Sequence, residues 1–344
     1  MASRRLIVTN GSAAVGRIRA SFIPADHIIA WSDVLHEGPV RIGLSSKQLR
    51  NDRARYLSAR EFGEFDSILA EMSERDDMFV RGLTEYDEVV LWFEHDLYDQ
   101  LQLIQALDGI ASRFPVRASV YLVCRSQFVG ESSVDALRAA FEGRVPIGTM
   151  HLREAADAWA AFRDERPVRL NDIVTAGSSK VLPFLADALH RLLEELPHPQ
   201  TGLSRSERQI LESLRVRPAT PPVLFRMCQE QEEAKFMGDT SFWSVLIPLL
   251  ESRRPLVEPE RARGVKTSWN EAGFLTSELR ITDAGRAVAA GRSNLLDHLS
   301  IDRWLGGTHL TNTCHWTYGD LELAGPCSRS FDKTADEPRS PSSC

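Results

Sequence analysis

The chain has 344 residues, 43% hydrophobic and 26% charged, with a formal net charge of −7 at pH 7. That length holds more than one domain and a sizeable core, while the acidic balance argues against a chain that coats nucleic acid or membrane and leaves room only for local basic patches. No stretch approaches the roughly 18 apolar residues of a membrane span, and the five cysteines are scattered without a Cys-x-x-Cys pair, as suits reduced thiols in a bacterial-style cytoplasm.

Leu6 to Thr9 reads as a short buried strand; the apolar run is too short for a signal peptide. Asn10-Gly11-Ser12 follows as its turn, with Ser12 placed to cap a helix from Ala13 to Ser21. A glycine turn ahead of a helix start can hold an anion, although the Gly-x-Gly-x-x-Gly pattern is incomplete. Ile28 to Trp31 is a second strand. The loop after it carries Asp33, His36 and Glu37 and breaks at Gly38-Pro39. From Ser45 to Arg81 the pattern is helical and charged, one or two helices crossing the sheet.

Val89 to Phe93 is a run of β-branched and aromatic residues, a strand buried on both faces. It runs straight into Glu94-His95-Asp96, with Asp99 and Gln100 just beyond, and the period then changes to that of a helix through Leu97, Leu101, Ile104 and Leu107. A fourth strand, Val116 to Val123, ends at Cys124-Arg125-Ser126. A helix from Ser133 to Phe141 and a short edge strand at Val145 to Ile147 follow. This alternation over residues 1–150 predicts an α/β, doubly wound, Rossmann-like and mostly parallel sheet. Residues 151–200 read as a helical cover or linker, stopping at Pro197-His198-Pro199.

A C-terminal domain is expected over residues 201–323. Ser204 with Glu207 forms a capping box, Phe242 to Leu250 is an apolar helix, and Leu256 to Glu258 with Glu278 to Thr282 are two short strands before a helix at Asp283 to Ala290. Helices followed by a two-stranded ribbon follow the order of a winged helix. Residues 202–292 carry a net charge of +2, and Arg253, Arg254, Arg261, Arg263 and Lys266 form a modest basic patch. That patch suits DNA or protein contact about equally. Residues 295–320 form a compact closing segment, and 324–344 read as a disordered tail.

Strand ends of equal polarity face one edge of a parallel sheet, where ligands bind. The expected cleft therefore gathers Asn10, Gly11, Ser12, Asp33, His36, Glu37, Asp99, Gln100 and Arg125 as ligand-binding residues, with Glu94, His95 and Asp96 as the catalytic group. Several chemistries stay open there. Glu94 or His95 suits a general base, with the Ser12 N–H and Arg125 holding a phosphate or carboxylate. His36, Glu37, His95, Asp96 and Asp99 are ligands for a divalent metal, but no helical ligand spacing supports one. A nucleophile at Ser12 or Ser126 lacks a Gly-x-Ser-x-Gly elbow. Asp96 also suits plain helix capping.

Three segments, Ile7-Val8-Thr9-Asn10-Gly11, Trp31-Ser32-Asp33-Val34-Leu35-His36-Glu37-Gly38-Pro39 and Trp92-Phe93-Glu94-His95-Asp96-Leu97-Tyr98-Asp99-Gln100-Leu101, resemble the bacterial family catalogued as domain of unknown function 1835. Gly202-Leu203-Ser204-Arg205-Ser206-Glu207-Arg208-Gln209, Phe236-Met237-Gly238-Asp239-Thr240 and Arg303-Trp304-Leu305-Gly306-Gly307 resemble its C-terminal half. The resemblance implies a family without an established activity, so no cofactor or catalytic residue is carried over. The expectation is a cytosolic protein binding a small phosphorylated or nucleotide-like ligand, with or without turnover. The alternative is a ligand-sensing regulator whose winged helix contacts DNA.

Overall fold

The computed structural model describes residues 4–260 and 273–327. In chain order the first half runs β1 (Arg5–Thr9), α1 (Ser12–Ala20), β2 (His27–Ala30), β3 (Gly38–Pro39), α2 (Ser46–Ala59), α3 (Phe65–Glu85), β4 (Glu88–Phe93), α4 (Leu97–Ala111), β5 (Ser119–Cys124), α5 (Val134–Glu142) and β6 (Val145–Pro146). Five of these strands form one sheet in the order β2-β1-β4-β5-β6. The first four are parallel neighbours, and β6 closes the edge antiparallel to β5. The expected mostly parallel α/β sheet is therefore present.

Side chains alternate across the pleat, so each strand feeds two cores. Ile7, Val90, Trp92 and Val123 point to the side covered by α1 and α5. Leu6, Val8, Val89, Leu91, Phe93 and Leu122 point to the other, packed with α3 and α4. All six residues of β4 are buried, as its unbroken apolar run implies. Each such side chain adds roughly 1.5–3 kcal/mol by leaving water. Of the helices α6 (Thr149–Phe162), α7 (Val168–Ala176) and α8 (Leu185–Leu193), the first and last pack on α4 and α7 packs on both of them, all within the second of these cores.

A separate core is built from α9 (Arg205–Val216), α10 (Pro221–Gln229), α11 (Asp239–Glu251), the antiparallel pair β7 (Val257–Pro259) and β8 (Leu279–Ile281), and α12 (Asp283–Ala289). The capping box at Ser204 and Glu207 opens α9 as expected. Arg261, Arg263 and Lys266, part of the expected basic patch, lie outside the described residues. Among the described residues, no helix is long and apolar enough to cross a membrane.

The closing segment returns to the first unit. The hairpin of β9 (Asp302–Gly306) and β10 (Thr308–Thr311) adds to β3, with Gly38 opposite Leu305 and Pro39 opposite Gly306 in parallel register. Leu296, Ile301, Leu305, Leu310, Trp316 and Tyr318 share a core with the parallel sheet. Gly38-Pro39, read from sequence as a loop break, is thus a short strand whose partner lies near the far end of the chain. A second hairpin, β11 (His315–Gly319) with β12 (Glu322–Cys327), follows. The disordered tail expected over 324–344 is corrected at its start: residues 324–327 belong to β12, because pairing with β11 satisfies backbone groups that composition alone leaves unpaired. Residues 328–344 lie outside the described part.

Candidate functional site at the carboxyl edge of the sheet

The parallel register brings the ends of β2, β1, β4 and β5 to one edge, so Trp31, Asn10, Glu94 and Arg125 leave the sheet on the same side. The chain leaves β1 toward β2 on one flank and later arrives at β4 on the other. Where successive connections diverge in this way, a crevice opens between adjacent strand ends. Asn10 and Glu94 sit at that point.

Here the structure draws Asn10, Glu94, Asp96, Asp99 and Gln100 into one cluster. The Asn10 side-chain amide donates to Asp99 at 2.8 Å and to Glu94 at 3.4 Å. The backbone N–H of Glu94 donates to Asp99 at 2.5 Å, and that of Val129 donates to the Glu94 carboxylate at 2.5 Å. Asp96 caps α4 by accepting from the Asp99 N–H at 3.2 Å. The donor atoms of Glu94, Asp96 and Asp99 lie within 4.8 Å of one another, and all three residues are buried. Such oxygen donors suit a hard divalent cation. All three also accept hydrogen bonds from protein N–H groups: Glu94 from Val129 and Asn10, Asp96 from Asp99, and Asp99 from Asn10 and Glu94.

Crowding buried acids has an electrostatic cost that protonation relieves. Burial raises the Glu94 carboxyl, against the opposing Val129 N–H. Burial, then the charges of Asp96 and Glu94, raises Asp99 well above its ordinary value. Burial lifts Asp96 to about 7. His95 is depressed by burial, and its ring packs against Phe128 and Phe184 at 5.0 and 5.9 Å between centroids. Its Nδ1 is buried without a hydrogen-bond partner. A protonated acid beside a neutral imidazole is a workable donor–acceptor pair near neutral pH.

Neither a protein-family model nor a curated protein matches the chain.

Other expected site residues fall elsewhere or do other work. Gln100 is 1% exposed and donates to the Glu94 carbonyl at 2.5 Å and to Cys124 Sγ at 3.3 Å, so it braces the cluster from behind. Gly11, not Ser12, is the N-cap of α1; it has extended backbone and makes no side-chain cap, and a Cβ there would meet nothing within 4 Å. The turn therefore does not require glycine, and the start of α1 stands open. Ser12 and Arg125 are exposed.

Asp33, His36 and Glu37 leave β2 toward the C-terminal unit. Asp33 is fully committed to Arg53, whose Nη2 and Nε donate to it at 2.8 and 3.1 Å. The same guanidinium donates to the carbonyls of Glu37 and Val34 at 2.7 and 2.8 Å, pinning the loop. Glu37 accepts from Tyr56 at 3.2 Å and from Ser241 of α11 at 2.6 Å, and His36 Nε2 lies 3.3 Å from the same Ser241 hydroxyl. Tyr98 links the two groups, since its ring lies 6.1 Å from that of His36 and its hydroxyl reaches the Asn10 carbonyl at 3.5 Å. Sequence reasoning missed Arg53, Ser241, Cys124 and the Val129 N–H. None of them carried a sequence signal: Arg53 stands among Arg50, Asn51, Asp52 and Arg55 in a charged helix, and only its burial sets it apart.

Titration gives the acid cluster a signature. The folded state holds the Asp96 proton from the ordinary 3.8 up to about 7, so through that window it binds more protons than the unfolded chain and stability falls as pH rises. Burial pushes His36 down to about 3, which acts oppositely: its contribution is present above 6.5 and is lost as pH falls toward 3. The two overlap, so the difference between the wild type and Asp96→Asn isolates the first. That difference should change by on the order of 3 kcal/mol between pH 4 and pH 7, in favour of the variant at the higher pH. Denaturant unfolding across pH measures it, and a flat difference contradicts the assignment.

Proposed function

We propose that the chain binds a small phosphorylated or nucleotide-like ligand at the carboxyl edge between β1 and β4. The ligand's anion would lie over the open start of α1 at Gly11 and Ser12, where free backbone N–H groups and the helix dipole favour negative charge. In this reading the sheet is doubly wound, in the manner of a Rossmann-like fold, and the resemblance to the domain of unknown function 1835 family is retained as part of the proposal. The observation that carries it is the divergence of connections around β1, which leaves Asn10 and Glu94 side by side at the crevice.

Turnover, where it occurs, would use His95 as the base and Asp96 as the acid. Burial raises the Asp96 and Asp99 carboxyls, which favours their neutral forms and lowers the negative charge that would otherwise repel a phosphate. The test is ligand-observed NMR on the full chain with nucleoside mono- and diphosphates and sugar phosphates at millimolar concentration. Binding of at least one is expected, with loss in His95→Ala while the unfolding free energy changes by no more than roughly 0.5–1 kcal/mol. Unfolding of His95→Ala would make His95 a packing residue and remove it from the site.

The C-terminal unit has the helix and strand order of a winged helix, which raises the DNA-contacting alternative. In that arrangement α11 would be the helix offered to DNA. It carries Asp239 and Glu251 and no lysine or arginine, and its Ser241 is committed to Glu37. Those facts favour a protein-contact role for this unit, directed at the α/β unit of the same chain.

A further inference from the structure

The two edges of the five-stranded sheet differ. At one, β6 is two residues long and includes Pro146, which has no N–H to offer. Short length and proline are common guards against pairing with another chain. At the other, β2 reads His27-Ile28-Ile29-Ala30, with no proline and no lysine, and its register with β1 is unbroken. The Trp31 N–H donates to the Thr9 carbonyl at 2.7 Å, and Thr9 lies opposite Ala30. That parity turns the backbone groups of Ile29 toward β1 and, by alternation along the strand, those of Ile28 and Ala30 away from it. The N–H and C=O groups of Ile28 and Ala30 therefore face outward, and no strand pairs with them among the described residues.

A groove of about 480 Å³ runs along this edge. It touches every residue from His27 to Ser32, so it follows the backbone rather than one face of the strand. Its opposite wall, from α2, α3 and the turn between them, is apolar: Leu57, Phe62, Ile68, Met72 and Met78. Its rim is acidic. Glu71 and Glu74 are exposed; Glu71 accepts only from Ser67, at 3.2 Å, and the Glu74 carboxylate has no partner among the described residues. Arg75 also lines the groove, but its guanidinium is held by Asp76 and the Trp31 carbonyl. The strands β2 and β1 separate this groove from the β1–β4 crevice.

We infer that the outer edge of β2 takes up an extended peptide segment of a partner protein as a sixth strand, apolar where it faces α3 and carrying lysine or arginine at the acidic rim. Main-chain hydrogen bonds to Ile28 and Ala30 hold it, and the apolar wall receives alternate side chains. Glu71 and Glu74 select basic residues. A second copy offering its own β2 would bring its own Glu71 and Glu74 to the junction, so the edge is fitted to a basic partner rather than to itself.

The probe is the acetylated and amidated peptide Lys-Val-Thr-Val-Thr-Val-Lys, titrated into the full-length protein. Fluorescence anisotropy of the labelled peptide should show saturable binding, and exchanging both lysines for glutamate should abolish it. In the complex, hydrogen exchange at the Ile28 and Ala30 amides should slow by roughly tenfold or more, whereas Ile29, already bonded to β1, changes little. N-methylation removes donors from one edge of the peptide at a time. Methylating either the three valines or the two threonines should abolish binding, and methylating the other set should leave it intact. Glu71→Gln combined with Glu74→Gln should weaken binding by roughly tenfold at low salt, where exposed charges act most strongly. Circular dichroism and melting establish that this variant is folded. No saturable binding, unchanged exchange at Ile28 and Ala30, equal effects of the two methylated peptides, or undiminished binding by the folded double variant overturns the inference. So does a dimer in sedimentation whose Ile28 and Ala30 amides are protected without peptide.

Discussion

Arg53→Met should cost about 3–5 kcal/mol of unfolding free energy, because it leaves the carboxylate of Asp33 buried without its cation. Both side chains are almost completely shielded, at 1% and 2% exposed. The guanidinium also closes the carbonyls of Val34 and Glu37, so the loss reaches the loop that positions His36. Replacing both partners by apolar groups removes the orphaned charge, so Arg53→Met combined with Asp33→Leu should recover more than half of the loss. Equilibrium denaturation of the single and double variants measures this. A cost below about 1 kcal/mol for Arg53→Met would show that the pair is not the loop's anchor.

Gly307→Ala should be comparably severe. A Cβ at Gly307 would fall on the carbonyl of Arg163 at the end of α6, and one at Gly306 on the carbonyl of Phe162. Gly306 adds a backbone φ of +60°, the left-handed region that side chains disfavour. The atoms in the way are backbone, which cannot swing aside like a side chain. The strain should therefore exceed the usual overpacking range and cost about 3 kcal/mol or more. Because this turn lets β9 reach β3, the β9–β10 hairpin should become the first site of limited proteolysis. Stability within 0.5 kcal/mol of wild type would mean that the turn relaxes without loss.

These two sites show what the chain made legible and what it hid. The sheet edge was readable because Val89 to Phe93 is apolar without a break and meets Glu94 abruptly, with the period changing after it. That pattern is local, and so is the capping box at Ser204 and Glu207. Ser12 was misread as a cap because residue preference favours serine, whereas the extended backbone at Gly11 places the helix start one residue earlier. The helix α10 was missed because Pro221 and Pro222 look like breakers, yet proline fits the first turn of a helix, where its missing N–H is not needed. Pairing of Gly38-Pro39 with Leu305-Gly306 and the reach of Ser241 to His36 and Glu37 join distant parts of the chain, which no local period encodes.

The roles of the acids divide along the same line. Residue types placed Asp33, Asp96, Asp99 and Gln100 at strand ends; Asp96, Asp99 and Gln100 gather around Glu94, and Asp33 pairs with Arg53. Only burial and partners show that Asp33 is an anchor, that Gln100 braces the cluster from behind, and that Asp96 retains a proton near neutrality.

The central claim, that a small phosphorylated ligand lies at the crevice between β1 and β4, is tested most directly by backbone amide NMR of the labelled full-length protein titrated with the tightest-binding phosphate. The account predicts that the amides of Gly11, Ser12, His95 and Tyr98 shift together with one saturating affinity, and that residues 299–305 in the closing segment stay still. Shifts confined to residues 299–305 and α11, or spread over surface arginines without saturation, would contradict it.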